Sequence, residues 1–217
     1  MKNIIELDYK QHPKEVIDFV KDQIKIINRR GISVHLLNKR RVTADGSRVS
    51  GYFDDENKVM AVGVLGHHLK WLGVFVHETC HCDQWWEKDS SYFKRIKGYE
   101  PHVLYGQWID HVVEFTPEQS DAVFHAIMDL ELNNEKRSLN KIKEFDLPID
   151  HEDYIRKANA YVLYHKALQI KRKWYDKQPW NVDGFAESLP TKWMSKKELY
   201  SPSKSMLDLM LKCCWKD

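Results

Sequence analysis

Apolar residues recur at helical spacing through residues 13–29, at Val16, Ile17, Phe19, Val20, Ile24 and Ile27. Pro13 suits a first helical position and Arg30-Gly31 ends the run. Residues 32–37 change period and read as a strand. Residues 38–48 form a basic, turn-rich connection around Asp45-Gly46. Residues 49–53 and 59–64 are β-rich and predict a hairpin joined through 54–57. The next run, 71–87, is apolar at Leu72, Val74, Phe75 and Val76, which predicts a mostly buried helix. Residues 89–115 are aromatic and broken by Gly98, Pro101 and Gly106, so an irregular segment with one short helix is expected there. Such long connections often carry specificity.

A clean helix start follows. Thr116 can cap, Pro117 can take the first helical position and Gln119 completes a capping box. Periodicity predicts a further helix over 154–175, with Ile155, Ala158, Val162, Leu163, Leu168 and Ile170 on its apolar face. Beyond residue 177, Pro179, Gly184, Pro190 and Pro202 mark a loop-rich tail that ends in an amphipathic stretch at 205–211. Trp174, Trp180, Trp193 and Trp215 would pin that tail by burying large area. The order of elements gives an α+β class: a small sheet beside the 71–87 helix, then further helices. The chain reads as one domain, 1–217, in three parts: sheet and first helices over 1–88, a loop segment over 89–115, and a helical part with tail over 116–217.

At 217 residues, 42% hydrophobic and 30% charged, the chain is long enough for a sizeable core and is not disordered in composition. No apolar run is long enough to span a membrane, and Met1-Lys2-Asn3 does not open a secretory signal. A cytoplasmic protein is therefore expected, in the host cytoplasm if phage-encoded. The net charge is +2, but residues 154–217 carry 13 Lys/Arg against 6 Asp/Glu. Such an excess makes nucleic acid a conceivable partner without any motif to support it; a solvated surface is the commoner explanation. The cysteines Cys80, Cys82, Cys213 and Cys214 do not form a disulfide framework. Cys80 is read as a small buried hydrophobe, with a thiolate ligand as the rarer option.

The chemistry concentrates in His77-Glu78-Thr79-Cys80-His81, an H-E-x-x-H sequence. On a helix, residues four apart share a face, so His77 and His81 can point at one ion. Glu78, about 100° round from His77, can reach a water held by that ion. Two neutral imidazoles on Zn²⁺ with the carboxylate as general base is the arrangement this spacing serves in metalloproteases. Catalytic zinc takes three protein ligands and an open position. For the third, with about 100° per residue, Val123, Phe124, Ile127 and Met128 fall on either side of Glu131. A carboxylate in the middle of an apolar stripe is costly unless paired with a cation or metal. Glu131 is thus the leading third ligand, with His102, His111 and Glu114 as competitors. Pairing of Glu131 or Glu135 with a cation such as Arg137 is the alternative. Glu135, one turn on, would accept a hydrogen bond from a liganding imidazole. Tyr161 and Tyr164 are candidates to stabilise a developing oxyanion.

These residues resemble the gluzincins, in which H-E-x-x-H is followed on a later helix by E-x-x-x-D. Here the second element is Glu131-Leu132-Asn133-Asn134-Glu135, with Glu in place of Asp. The wider pattern resembles metallopeptidase-like proteins of tailed bacteriophages, through Gly51-Tyr52-Phe53, the run 77–85, the helix 130–137 and Ala158-Asn159-Ala160-Tyr161. The resemblance implies a zinc-dependent, zincin-like fold: a small twisted sheet packed on the motif helix, with an edge strand along which an extended peptide pairs. The strand 58–64 is the expected edge. The implied function is hydrolysis of peptide bonds in a peptide or protein substrate. The alternatives are a catalytically silent zincin-fold binding protein and a DNA-associated protease similar to SprT-like proteins.

Overall fold

The computed structural model describes residues 12–44, 46–182 and 184–215. The opening Met1-Lys2-Asn3 and Asp45 lie outside the described residues. The chain is mixed α+β and divides into two compact units: residues up to Tyr92 with Lys136–Ile149, and Phe93–Glu135 with Asp150–Asp217. No helix among the described residues is long and apolar enough to cross a membrane.

The first unit opens with α1 (Lys14–Arg29), whose Val16, Ile17, Phe19, Val20 and Ile27 are buried. Arg30 and the left-handed Gly31 turn the chain into β1 (Ser33–Leu37). A two-stranded ribbon follows, β2 (Val42–Ala44) antiparallel to β3 (Ser47–Val49). Then come β4 (Gly51–Asp54) and β5 (Val59–Gly63). β4 and β5 form the expected hairpin, in the register Gly51↔Val62 and Phe53↔Met60. β1 joins β5 in parallel, so the sheet order is β1-β5-β4.

That order corrects the expected edge. β5, within the 58–64 run, is paired on both sides; β4 is the outer strand beside the motif helix. The connection 38–48 is also more than a turn, since most of it forms β2 and β3. The change of edge has one cause: the parallel β1–β5 pairing joins segments separated by the whole ribbon and hairpin, and local periodicity carries no record of it.

The motif run forms α2 (Leu72–Trp86). Leu72, Phe75, Val76, Cys80 and Cys82 are buried on it, so the helix is apolar over much of its circumference, as a helix packed inside a domain must be. Phe75 meets Phe19 of α1 edge to face at 6.1 Å. A fully buried side chain of this size is worth about 1.5–3 kcal/mol of transfer free energy.

In the second unit, α3 (Pro101–Ile109) is the one helix of the 89–115 segment. α4 (Pro117–Glu144) starts with the predicted capping box: Gln119 N–H donates to Thr116 Oγ1 at 3.3 Å, and Thr116 N–H to Gln119 Oε1 at 3.1 Å. Its last nine residues, from Lys136, belong to the first unit. α5 (His151–Lys171) begins three residues before the expected start, because Asp150 caps it by accepting from Asp153 N–H at 2.7 Å. It ends at Arg172, left-handed at φ 49°. The tail is anchored by specific bonds. Asn159 donates to the carbonyls of Pro190 and Lys192 and accepts from Met194 N–H. Trp215 is buried and its indole N–H donates to Lys173 O at 2.9 Å. Trp180 packs on Tyr161, Tyr164 and Tyr175. The tail is completed by α6 (Lys196–Tyr200) and α7 (Lys204–Cys214), the latter longer than the expected 205–211.

Candidate metal centre

One turn of α2 separates His77 from His81, and their rings meet edge to face at 4.7 Å between centroids. Their Nε2 atoms lie 3.1 Å apart. Ligand atoms from His77, His81 and Glu131 all lie within 4.8 Å of one another, and this is the group among the described residues that can hold a metal ion. Tetrahedral zinc with nitrogen ligands at about 2.0–2.1 Å places two such nitrogens about 3.3 Å apart. The imidazole spacing therefore fits the ion without rebuilding the helix. The donor set, two imidazole nitrogens and one carboxylate oxygen, suits a divalent transition metal.

The other ring nitrogen of His81 is engaged. Nδ1 lies 2.9 Å from Gln84 Oε1, and Gln84 has no solvent exposure. With the amide oxygen facing the ring, Nδ1 carries the proton and donates, which leaves the Nε2 lone pair for a ligand. Sequence reasoning missed Gln84. Its signal was available: it lies three residues beyond His81, on the same helical face, and is polar in a helix otherwise buried. Glu135, expected in this kind of role, accepts the hydroxyl of Tyr154.

Glu78 is 7% exposed, and β4 crosses directly over it. A Cβ added at Gly51 would stand 2.7 Å from Val74 Cγ1 and 3.1 Å from Glu78 Cγ. Glycine here is a packing requirement, since it lets the outer strand press onto the carboxylate-bearing turn. Gly51→Ala is expected to destabilise the protein by about 1–3 kcal/mol, the usual scale of overpacking, and to disturb Glu78. Thermal melting of the variant checks it. Two residues along, Phe53 lies on the same face of β4 and reaches Trp85 at 6.1 Å and Tyr92 at 6.4 Å. Tyr92 lies 6.4 Å from His81. These half-buried aromatics line the first unit beside the histidines.

The position of α4 along α2 is set by charge. Asp83, two residues after His81, accepts Arg30 of α1 and Lys141 of α4, the latter at 2.6 Å. Arg137 spans Glu87 and Asp89 at 2.7 and 2.8 Å. Arg137 is thus engaged at the end of α2, and both α4 cations in these pairs, Arg137 and Lys141, belong to the part of α4 in the first unit. Removing one partner of a part-buried pair leaves the other charge without compensation.

The remaining candidates have other roles in the fold. His102 contacts Glu100 and Glu114 holds Arg172, and neither they nor His111 joins the ligand group. Cys80 is buried and outside that group. Tyr164 belongs to the aromatic core of the second unit; burial pushes its hydroxyl well above the usual tyrosine range, with smaller contributions from Tyr105, Tyr175 and Glu131. Tyr161 is half-buried against Trp180 and His165. Burial holds His165 below the usual histidine range, while the Glu131 carboxylate acts in the opposite direction. Glu131 is therefore electrostatically coupled to this aromatic cluster.

No protein-family model, no curated protein and no solved structure matches the chain.

Proposed function

We propose that the chain is a zinc-dependent metallopeptidase with a zincin-like fold, holding zinc through His77, His81 and Glu131. The observation that carries this reading is the convergence of those three donors within 4.8 Å, with Glu78 next to the first of them. When bound, zinc supplies Lewis acidity, making a coordinated water acidic near neutral pH and polarising a carbonyl oxygen. Everything else falls to the chain. Gln84 holds the His81 tautomer. The Glu78 carboxylate accepts a proton from the attacking water and returns it to the departing amine nitrogen. The outer edge of β4 offers backbone donors and acceptors to an extended substrate strand. Of the two tyrosines considered for the oxyanion, Tyr161 is the more exposed, and Tyr164 lies buried in the aromatic core of the second unit.

The test combines elemental analysis of the purified protein with incubation against a broad peptide library, with and without a chelator. Stoichiometric zinc and chelator-sensitive cleavage are expected. No zinc at micromolar metal would end the reading, whereas zinc without cleavage would leave a silent binding protein.

A further inference from the structure

We propose that the β2–β3 ribbon is a binding surface for the phosphate backbone of nucleic acid. The proposal does not depend on the metal centre. Within residues 38–50 the chain places Lys39, Arg40, Arg41 and Arg48 against a single acidic residue, Asp45. All four cations are exposed, and none makes an ion pair or side-chain hydrogen bond among the described residues. Arg30, Arg95, Arg137 and Arg172, by contrast, each hold a carboxylate.

The ribbon presents these charges from a fixed base. At its root, Gly63 at the end of β5 lets the chain cross so closely that an added Cβ would stand 2.6 Å from Lys39 O and 3.0 Å from the Arg40 carbonyl carbon. Leu65 N–H also donates to Lys39 O at 3.2 Å. Val42 is buried and anchors the first strand. Successive residues of an extended chain alternate sides, so Arg41 and Thr43 lie opposite Val42. Arg48 pairs with Thr43 across the ribbon and joins that side. The solvent face is therefore Arg41, Thr43 and Arg48, with Lys39 and Arg40 at the root.

The chemistry favours a phosphodiester. Guanidinium forks bind phosphate oxygens bidentately, and serine or threonine hydroxyls add neutral donors to the same groups. Here that hydroxyl is Thr43, exposed between Arg41 and Arg48 on the same face. The ribbon offers no exposed apolar side chain to seat a peptide residue, since Val42 is buried and Val49 half-buried. A two-stranded ribbon also fits within a major groove about 12 Å wide. The expected contact is to the backbone and independent of sequence.

The experiment uses the full chain and a fluorescent duplex of about 20 base pairs, with the corresponding single strand, read by anisotropy across a salt series. Each phosphate neutralised adds about 0.9 to the slope of log affinity against log salt for a duplex. The expected result is micromolar binding at low salt that falls steeply as salt rises. Arg40→Gln/Arg41→Gln/Arg48→Gln should then weaken it more than tenfold and flatten the slope by about two to three. If the triple variant melts at a lower temperature than the parent, Arg41→Gln/Arg48→Gln, which spares the root packed on Gly63, takes its place. Three outcomes overturn the proposal: no binding to either strand form, binding that the variants leave unchanged, or binding of a polyglutamate peptide as tight as that of the duplex and lost in the same variants.

Discussion

Exchange of Glu78 for glutamine is expected to lower chelator-sensitive peptide hydrolysis by about 10²–10⁴-fold, the range that a positioned general base contributes, while zinc content stays stoichiometric. The two readouts separate because the side chain has two neighbours of different kinds. On one side lie the proposed ligands, His77 and His81, which Glu78 does not replace. On the other lies Gly51, whose missing Cβ leaves just enough room for the Glu78 side chain. Glutamine keeps the volume and shape that β4 presses against, so the strand and the turn beneath it stay in place. What it lacks is an oxygen that accepts and returns a proton. A fall in kcat with unchanged zinc content and an unchanged melting temperature assigns Glu78 to proton transfer. Full activity in this variant would remove the general base and with it the hydrolytic reading. A variant that loses zinc as well would place Glu78 among the ligands, a role its position on the helix does not require.

Features set by local chemistry could be read from the sequence. The H-E-x-x-H spacing fixes two imidazoles on one helical face, and the Thr116–Gln119 capping box fixes where α4 begins. From that start, counting turns brings Glu131 into an apolar stripe, and Glu131 is the residue that joins the histidines. Features set by chain pairing were not legible. β5 is an aliphatic run and β4 combines aromatic residues with Gly51 and Asp54, but neither sequence names its partners; the central place of β5 comes from β1, which pairs in parallel from far along the chain. Gly51 illustrates the same limit. A glycine at a strand start reads as a weak β residue, and its necessity appears only once Val74 and Glu78 are seen beneath it. Gln84 lies between these cases. Its spacing from His81 was visible, but glutamine near a helix end is ordinarily solvated, and only the structure shows it fully buried with Oε1 2.9 Å from His81 Nδ1. The aromatic tail was legible in kind, because large rings must be buried somewhere, but the bonds of Asn159 that organise it were not.

Glu131→Ala should abolish stoichiometric zinc binding, with a loss of affinity well beyond the ten- to hundredfold expected for an outer hydrogen-bond partner. The comparison variant is Gln84→Met, which keeps approximate length and burial but removes the acceptor for His81 Nδ1–H. It should lose only that ten- to hundredfold and still bind zinc at higher metal concentration. Melting temperature in the presence and absence of zinc makes the difference measurable without any substrate. For the parent, zinc at about a thousand times its Kd adds about 4 kcal/mol to the folded state, so the apo and loaded forms melt well apart. In Gln84→Met the gap narrows at a given zinc concentration and recovers as zinc is raised. In Glu131→Ala it closes and does not recover, because two imidazoles 3.1 Å apart on a single helix turn supply only part of a catalytic zinc set. Glu131 is 9% exposed, on a helix face shared with Phe124, Met128 and Leu132, a place where a carboxylate carries a desolvation cost. A sequence shaped for stability alone would put leucine there. Retention of the zinc-induced rise in Glu131→Ala would therefore count against this assignment twice, removing the third ligand and leaving the acid in the stripe without a reason.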